Sequence, residues 1–318
     1  MKKSTKFLLL TLGVSTATIY AYNKFIEETA SQKNLLSDKN GQYYNWKYGK
    51  IFYRKTGSGS PLLLIHDTNS ASSIVEWHKM ISLLEKKHTV YAIDLLGCGR
   101  SDKPNLEYTN YLYTQMILSF MADVIQEKSV VIASNMSASL VIMANHLDDT
   151  LFKKIILINP VSLEQLDVIP DDLSKLKKTL VELPFIGTFI YNRMNSMPSI
   201  DASFRNRYIT KPQFISSNIE DSYYEAAHKN GSNGRYLYSS LLGNYVNNSI
   251  THAIQSISTP TLLIGSVEMK PYALALDNYH KANPGLDIIR IHNASLYPHM
   301  EIPEKIYSIM ETYMEENI

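Results

Sequence analysis

From residue 43 onward, short apolar runs alternate with stretches whose apolar residues recur at helical spacing. YYNWKYGKIFYRKTG (43–57) predicts two antiparallel strands turning at Gly49, and GSGS at 57–60 closes the second. PLLLIHD (61–67) is a continuous apolar run of the kind that forms a strand covered on both faces. Ile74, Trp77, Ile81 and Leu84 then mark one face of a helix. HTVYAID (88–94) predicts a second buried strand, and 111–126 a long helix. VVIAS, a helix from about Met136 to Asn145, and KIILINP (154–160) extend the series. TPTLLIGS (259–266), a helix around 271–282, LDIIRIH (286–292) and a closing helix from about Pro303 complete it. Strands alternating with helices predict an α/β fold with a mostly parallel sheet, here with an antiparallel hairpin at one edge.

Two regions break the alternation. Residues 161–258 hold few β-branched runs, and helical stretches such as DDLSKLKKTLVEL and EDSYYEAAH are punctuated by Pro184, Pro198 and Pro212. A segment of that length cannot be a mere loop, so it reads as a helical cap over the carboxyl edge of the sheet. At the other break, Lys2, Lys3 and Lys6 precede the uncharged stretch FLLLTLGVSTATIYAY (7–22), and Asn23 and Lys24 follow it. That length is near the lower limit for crossing a bilayer and near the upper limit for a signal-peptide core. Ile19, Tyr20 and Tyr22 carry the apolar run past Ser15 and Ala17, which favours an uncleaved anchor over a cleaved leader. Lysines before the stretch favour a cytoplasmic N-terminus and an extracytoplasmic domain. The expected organisation is an anchor at 1–26, a linker at 27–42, a core of 43–160 and 259–318, and a cap at 161–258.

Composition narrows the function. The net charge is +1 with no basic stripe, which argues against nucleic acid as a partner. Cys98 is the only cysteine, so the chain has no intrachain disulfide framework and no polythiolate metal site. Its histidines form no helical i, i+4 pair, and no metal or other cofactor is expected. Tyrosine is abundant, at 22 residues against 9 phenylalanines. Tyr191, Tyr208, Tyr223, Tyr224, Tyr236 and Tyr238 of the cap are expected mostly to pack, with a few lining the space above the sheet.

DLLGCGRSDKP (94–104) resembles the Asp-x-x-Gly-x-Gly-x-Ser-x-x-Pro segment of the α/β-hydrolase superfamily, in its capped branch of haloalkane dehalogenases and small esterases. LLLIH, LPFIGTFIYNRMNS, TPTLLIG and PHMEIPE follow the same family's order and spacing, so the resemblance covers roughly residues 43–316. It implies an eight-stranded sheet, a helical cap, and a triad of nucleophile, acid and histidine. The nucleophile belongs at the centre of a sharp turn between small residues. In ASNMSAS (133–139) the small positions are Ala133 and Ser137, and the centre is Asn135. Asparagine tolerates the left-handed backbone of such a turn but cannot attack a carbonyl. The acid position falls on Glu268 with one residue deleted, or on Met269 without the deletion. The histidine position, five residues before Glu301, falls on Leu296. Where the family has His-Gly beside the oxyanion hole, this chain has His66-Asp67, and a carboxylate there opposes developing negative charge.

Losing triad members forfeits on the order of a millionfold in rate. The expected protein is therefore membrane-anchored and non-hydrolytic, binding a small apolar ligand or a protein partner near His66, Asp67 and Met136. The alternative is an esterase or lipase-like hydrolase with a relocated triad of Ser137, Glu268 and His299. Moving two residues past the strand end turns the side chain by about 200° in the first helical turn, which disfavours Ser137. A third reading is cofactor-free chemistry without a covalent step. His66 is expected to hold the strand end by hydrogen bonds, and Cys98 to be a buried filler.

Overall fold

The computed structural model describes residues 17–211 and 216–316. Its centre is an eight-stranded sheet of β1 (Gly41–Trp46), β2 (Gly49–Thr56), β3 (Ser60–Ile65), β4 (His88–Ile93), β5 (Ser129–Ser134), β6 (Phe152–Ile158), β7 (Thr261–Ser266) and β8 (Asp287–Ile291), in the order β1-β2-β4-β3-β5-β6-β7-β8. β1 and β2 pair antiparallel, as do β2 and β4; every other pair is parallel. The apolar runs explain the layering. Along β3, Leu63 and Ile65 enter one core while Leu62 and Leu64 enter the other. Along β5, Val131 and Ala133 divide from Val130 and Ile132 in the same way. A strand whose residues all find apolar neighbours on alternate faces must be covered by helices on both sides.

The helices start where the sequence supplies caps. Ser73 accepts the N–H of Val75 to open a tight turn, Ile74–Trp77, ahead of the helix His78–Leu84. Thr109 caps the helix Asn110–Phe120, which widens into a π-turn at Met121–Ile125 and stops at Gln126 with φ 62°. The single long helix expected at 111–126 thus has an irregular last turn.

The described part of the insertion is helical; Leu163, Leu166, Leu237 and Val246 join the main core cluster, and a second apolar cluster seals the cap to the segments above the sheet. Ile200, Phe204, Tyr208 and Tyr223 of the cap meet Tyr272, Leu296, Tyr297 and Met300 of the core.

Of the expected anchor, residues 1–16 lie outside the described residues. Residues 17–29 are helical, so the helix runs on into the stretch expected as a linker. It rests on the cap: Tyr20 meets Phe185 edge to face, Tyr22 meets Phe189, and the Asn23 side chain donates to the Phe185 carbonyl at 3.1 Å. Further on, the N–H groups of Leu35 and Leu36 donate to the Glu225 carboxylate at 2.7 and 3.4 Å, and Lys33 pairs with Asp221. Among the described residues no helix is long and apolar enough to cross a membrane.

Candidate active site and its replacements

β5 ends at Ser134 and the next helix begins at Ser137, leaving a two-residue turn. Asn135 occupies it with φ 47°, in the left-handed region where asparagine is among the few side chains tolerated. Its N–H donates to the Ile158 carbonyl at 2.9 Å, and its carbonyl accepts the Ala138 N–H at 3.2 Å. Ala133 and Ser137 on either side are fully buried, as a tight strand-to-helix turn requires. The elbow is intact around a residue that has no nucleophilic atom.

The N–H after the nucleophile is the family's first oxyanion donor. Here that donor, Met136 N–H, points at the Asp67 carboxylate at 3.2 Å. Asp67 also accepts from the Asn135 side chain at 3.2 Å and from the Tyr297 hydroxyl at 2.8 Å. The protein's own carboxylate therefore sits where a reaction oxyanion would be held. Burial is the main cause that raises the Asp67 pKa above the usual carboxylate value, and the nearby Glu76 adds to it; the Tyr297 bond pulls the other way. Asp67 is placed by the loop after β3. Its N–H donates to Glu76 at 3.0 Å. Its carbonyl and the Leu95 N–H hold the two nitrogens of His66, at 2.7 and 3.0 Å. His66 is the loop-holding histidine expected at the strand end.

Leu296, at the histidine position, is 1% exposed within the cluster that seals the cap to the core. Its carbonyl and that of Ser295 accept from the Asn159 side chain at 2.8 and 2.9 Å, and Glu301 accepts the Ser295 N–H. The loop is thus fixed from both ends, and the polar contact to the elbow comes from the next residue, Tyr297. Glu268, at the acid position, faces away from this group: its carboxylate accepts the Asn293 N–H at 2.8 Å and lies 3.5 Å from His292, with its side chain 41% exposed. That backbone bond is the main cause holding its pKa below the usual value. Met269 begins the helix Lys270–Ala282 and packs against the apolar cluster.

The relocated triad is not assembled. Ser137 Oγ donates to the His66 carbonyl at 2.5 Å and meets the Thr68 hydroxyl at 2.7 Å, fully buried. His299 is fully buried, stacks on Trp77 at 4.2 Å, and pairs with Glu76 at 3.1 Å. Glu76 also accepts from Ser134 at 2.5 Å. Ser137, Glu268 and His299 therefore each have different partners, and none of the three lines the cavity described next. The helical rotation past Asn135 is the reason for Ser137; for His299 it is the buried pocket formed by Trp77 and Glu76.

Beside the elbow, under the cap, lies a cavity of about 270 Å³. Asp67, Asn69, Asn135 and Met136 form its floor, and Arg207, Tyr208, Tyr238 and Asn247 contribute from the cap. Among these, Asp67 and Met136 were expected here, whereas His66 lies behind the loop. The lining is rich in amides and carries one cation and one carboxylate, beside the apolar side chains of Met136, Val161, Leu241 and Leu242. Arg207 lies beside Tyr272, which favours its charge, and the Tyr272 hydroxyl lies 3.4 Å from the Asn135 side-chain oxygen. Tyr208 lines the cavity as one of the few expected cap tyrosines, while Tyr191 and Tyr223 are buried in packing. Cys98 is buried with its thiol pKa pushed up by burial, a filler as expected.

Sheet order, elbow and cap together define an α/β-hydrolase fold. A family model described as alpha/beta hydrolase fold matches residues 61–187. The chain is 40% identical over 58 residues to 2-hydroxy-6-oxo-6-(2'-aminophenyl)hexa-2,4-dienoic acid hydrolase of Metapseudomonas resinovorans, covering 18% of this chain and 20% of that one. It is 41% identical over 61 residues to an uncharacterized protein of Mycobacterium tuberculosis, covering 19% and 17%. The matched segments thus span about a fifth of these curated relatives' length. Solved structures align over far more of the chain. The enol-lactonase from Burkholderia xenovorans LB400 aligns with a TM-score of 0.69 at 14% identity, over 86% of this chain and 100% of that one. A membrane phospholipase A described as a bacterial virulence factor aligns with a TM-score of 0.68 at 17% identity, over 99% and 98%. The chain is an α/β-hydrolase-fold protein.

Proposed function

We propose that this protein binds a small polar ligand in the cavity under its cap, without hydrolysis by the family's triad, while its N-terminal segment holds it to a membrane. The observation that carries the reading is the Asp67 carboxylate seated on the Met136 N–H. A single substitution at the nucleophile would leave an oxyanion hole with nothing to attack; here the hole is occupied as well. Asn135, Asp67, Tyr297, Tyr272 and Arg207 form a connected hydrogen-bonded and ionic group in place of the triad. Such a group presents fixed donors and acceptors to a ligand at no cost of rearrangement. Arg207 gives it one exposed cation, so the ligand carries an anionic group on the cap side. The lysine-flanked apolar stretch at 7–22 supports the membrane attachment.

The test treats the folded protein with a fluorophosphonate probe beside a Ser137→Ala control, then screens small polar acids by thermal shift on the native chain and on Arg207→Gln. No labelling, with a stabilising acid whose effect is lost in Arg207→Gln, supports the reading. Labelling that disappears in Ser137→Ala refutes it.

A further inference from the structure

The cap carries an exposed apolar face that its own packing does not explain. On the helix Asp172–Glu182, Leu173, Leu176 and Leu180 recur three and four residues apart, all exposed, while Ser174 and Val181 face inward. Ile169 before this helix is 77% exposed, and Phe185 and Ile186 after it are each about half exposed. A helix in a soluble cap turns such a stripe to the core; this one turns it outward. Phe185 is held there against its own preference, because a bulky side chain with φ 60° occupies a conformation rarely adopted outside glycine and asparagine.

We propose that this face lies on a lipid bilayer, with the leucine stripe and Phe185 entering the interfacial region. Two observations choose lipid over another protein. The helix at 17–29 meets the face at its Phe185 end, through Tyr20 and Asn23, and Tyr20 itself stays more than half exposed there. The uncharged stretch that leads into this helix begins just after Lys2, Lys3 and Lys6. A chain tethered to a membrane through that stretch has the stripe beside its point of attachment. The face also borders the cavity: Asn247, on the cavity wall, donates to the Val168 carbonyl at 3.0 Å, one residue before Ile169. Docking therefore brings the cavity mouth to the lipid surface. Exposed Lys175 and Lys177 flank the stripe, but Asp171 and Asp172 offset them, so apolar insertion rather than charge supplies the attachment.

The inference rests on the membrane attachment proposed above and is independent of the ligand. The full chain is reconstituted into vesicles of phosphatidylcholine and phosphatidylglycerol, with a single polarity-sensitive fluorophore on Leu176→Cys, Ile169→Cys or, as control, Tyr48→Cys. Cys98 is buried and leaves the label to the introduced site. The chain is expected to float with the vesicles, and a lipid-borne quencher near the head groups quenches both cap probes several-fold more than the control. Introducing Leu173→Glu together with Ile186→Glu removes the excess quenching while flotation persists. Flotation with cap probes no better quenched than the control overturns the docking and leaves the attachment standing. Failure to float overturns both. Cap probes shielded equally before lipid is added show that another part of the chain, or a second copy, covers the face, and that also overturns the proposal.

Discussion

Replacing Tyr297 with phenylalanine removes one oxygen and nothing else. That oxygen donates to Asp67 at 2.8 Å, from a fully buried ring to a buried carboxylate. Hydrogen bonds to charged groups contribute about 1.5–3 kcal/mol, and water cannot reach this one to replace it. Asp67 keeps the Asn135 side chain and the Met136 N–H, so the cost falls near the middle of that range, about 2 kcal/mol at neutral pH. The pH dependence makes the argument specific. Burial raises the folded Asp67 pKa and the Tyr297 bond restrains that rise. For a carboxyl raised on folding, the contribution to stability is present below the unfolded value of 3.8 and is lost as pH rises through the folded value. Phenylalanine lets the folded value climb further, so the variant goes on losing stability to a higher pH than the native chain does. The difference between the two proteins is therefore largest at neutral and alkaline pH and shrinks in acid, where Asp67 is protonated in both. Urea unfolding at several pH values, with an unchanged dependence on denaturant, reads the difference directly. A variant as stable as the native chain at neutral pH, or one whose deficit does not shrink in acid, would refute the account of Asp67 as a buried, hydrogen-bonded carboxylate.

Other outcomes follow from the same contacts. Asn135→Ser alone gives no fluorophosphonate labelling, because Leu296 supplies no base and Asp67 still occupies Met136 N–H; labelling of this single variant would show that the hole opens. His299→Leu removes the contact to the buried Glu76 carboxylate and the polar half of the Trp77 stack, and destabilises the fold by about 1–3 kcal/mol in denaturant unfolding, whereas a catalytic His299 would also alter reaction with the probe. His228 is buried with its pKa lowered to about 4 by loss of solvation. Its contribution is full above the unfolded value of 6.5 and is lost as pH falls toward about 4, so His228→Gln flattens the acid limb of stability, by roughly 3 kcal/mol at most. The Cys98 thiol resists an aromatic disulfide reagent in the native state and reacts on unfolding; fast native reaction would contradict its burial.

The sheet was legible because its strands are buried on both faces, which leaves runs such as PLLLI and VVIAS with almost no polar residue. The elbow was legible through Ala133, Asn135 and Ser137, since tight packing and a left-handed turn restrict residue type. Asp67, in place of the glycine, was visible as a departure, but not the bonds it makes. Tyr297 and Tyr272 carry no sequence signal for their roles: each is a tyrosine among 22, brought to the elbow by a loop and a helix distant in sequence. Glu76 was hidden in the same way, lying between Ile74 and Trp77 on a turn whose apolar face was the readable feature. The polar nature of the cavity follows from Arg207 and Asn247, whose meeting depends on how the cap's helices fold back over the sheet. That is a property of three-dimensional packing, with no local pattern to announce it.

The N-terminal segment grips the cap. Its helix lies against Phe185 and Phe189, and the chain beyond it is held by Glu225 through the Leu35 N–H and by Asp221 through the Lys33 side chain. Only after these contacts does the chain enter β1. A force applied at the N-terminus is therefore carried first by the cap helices, and reaches the sheet only through them or once these contacts are broken. On the membrane attachment proposed above, tension or tilt at that segment would pass first into the cap, which supplies Arg207, Tyr208, Tyr238 and Asn247 to the cavity.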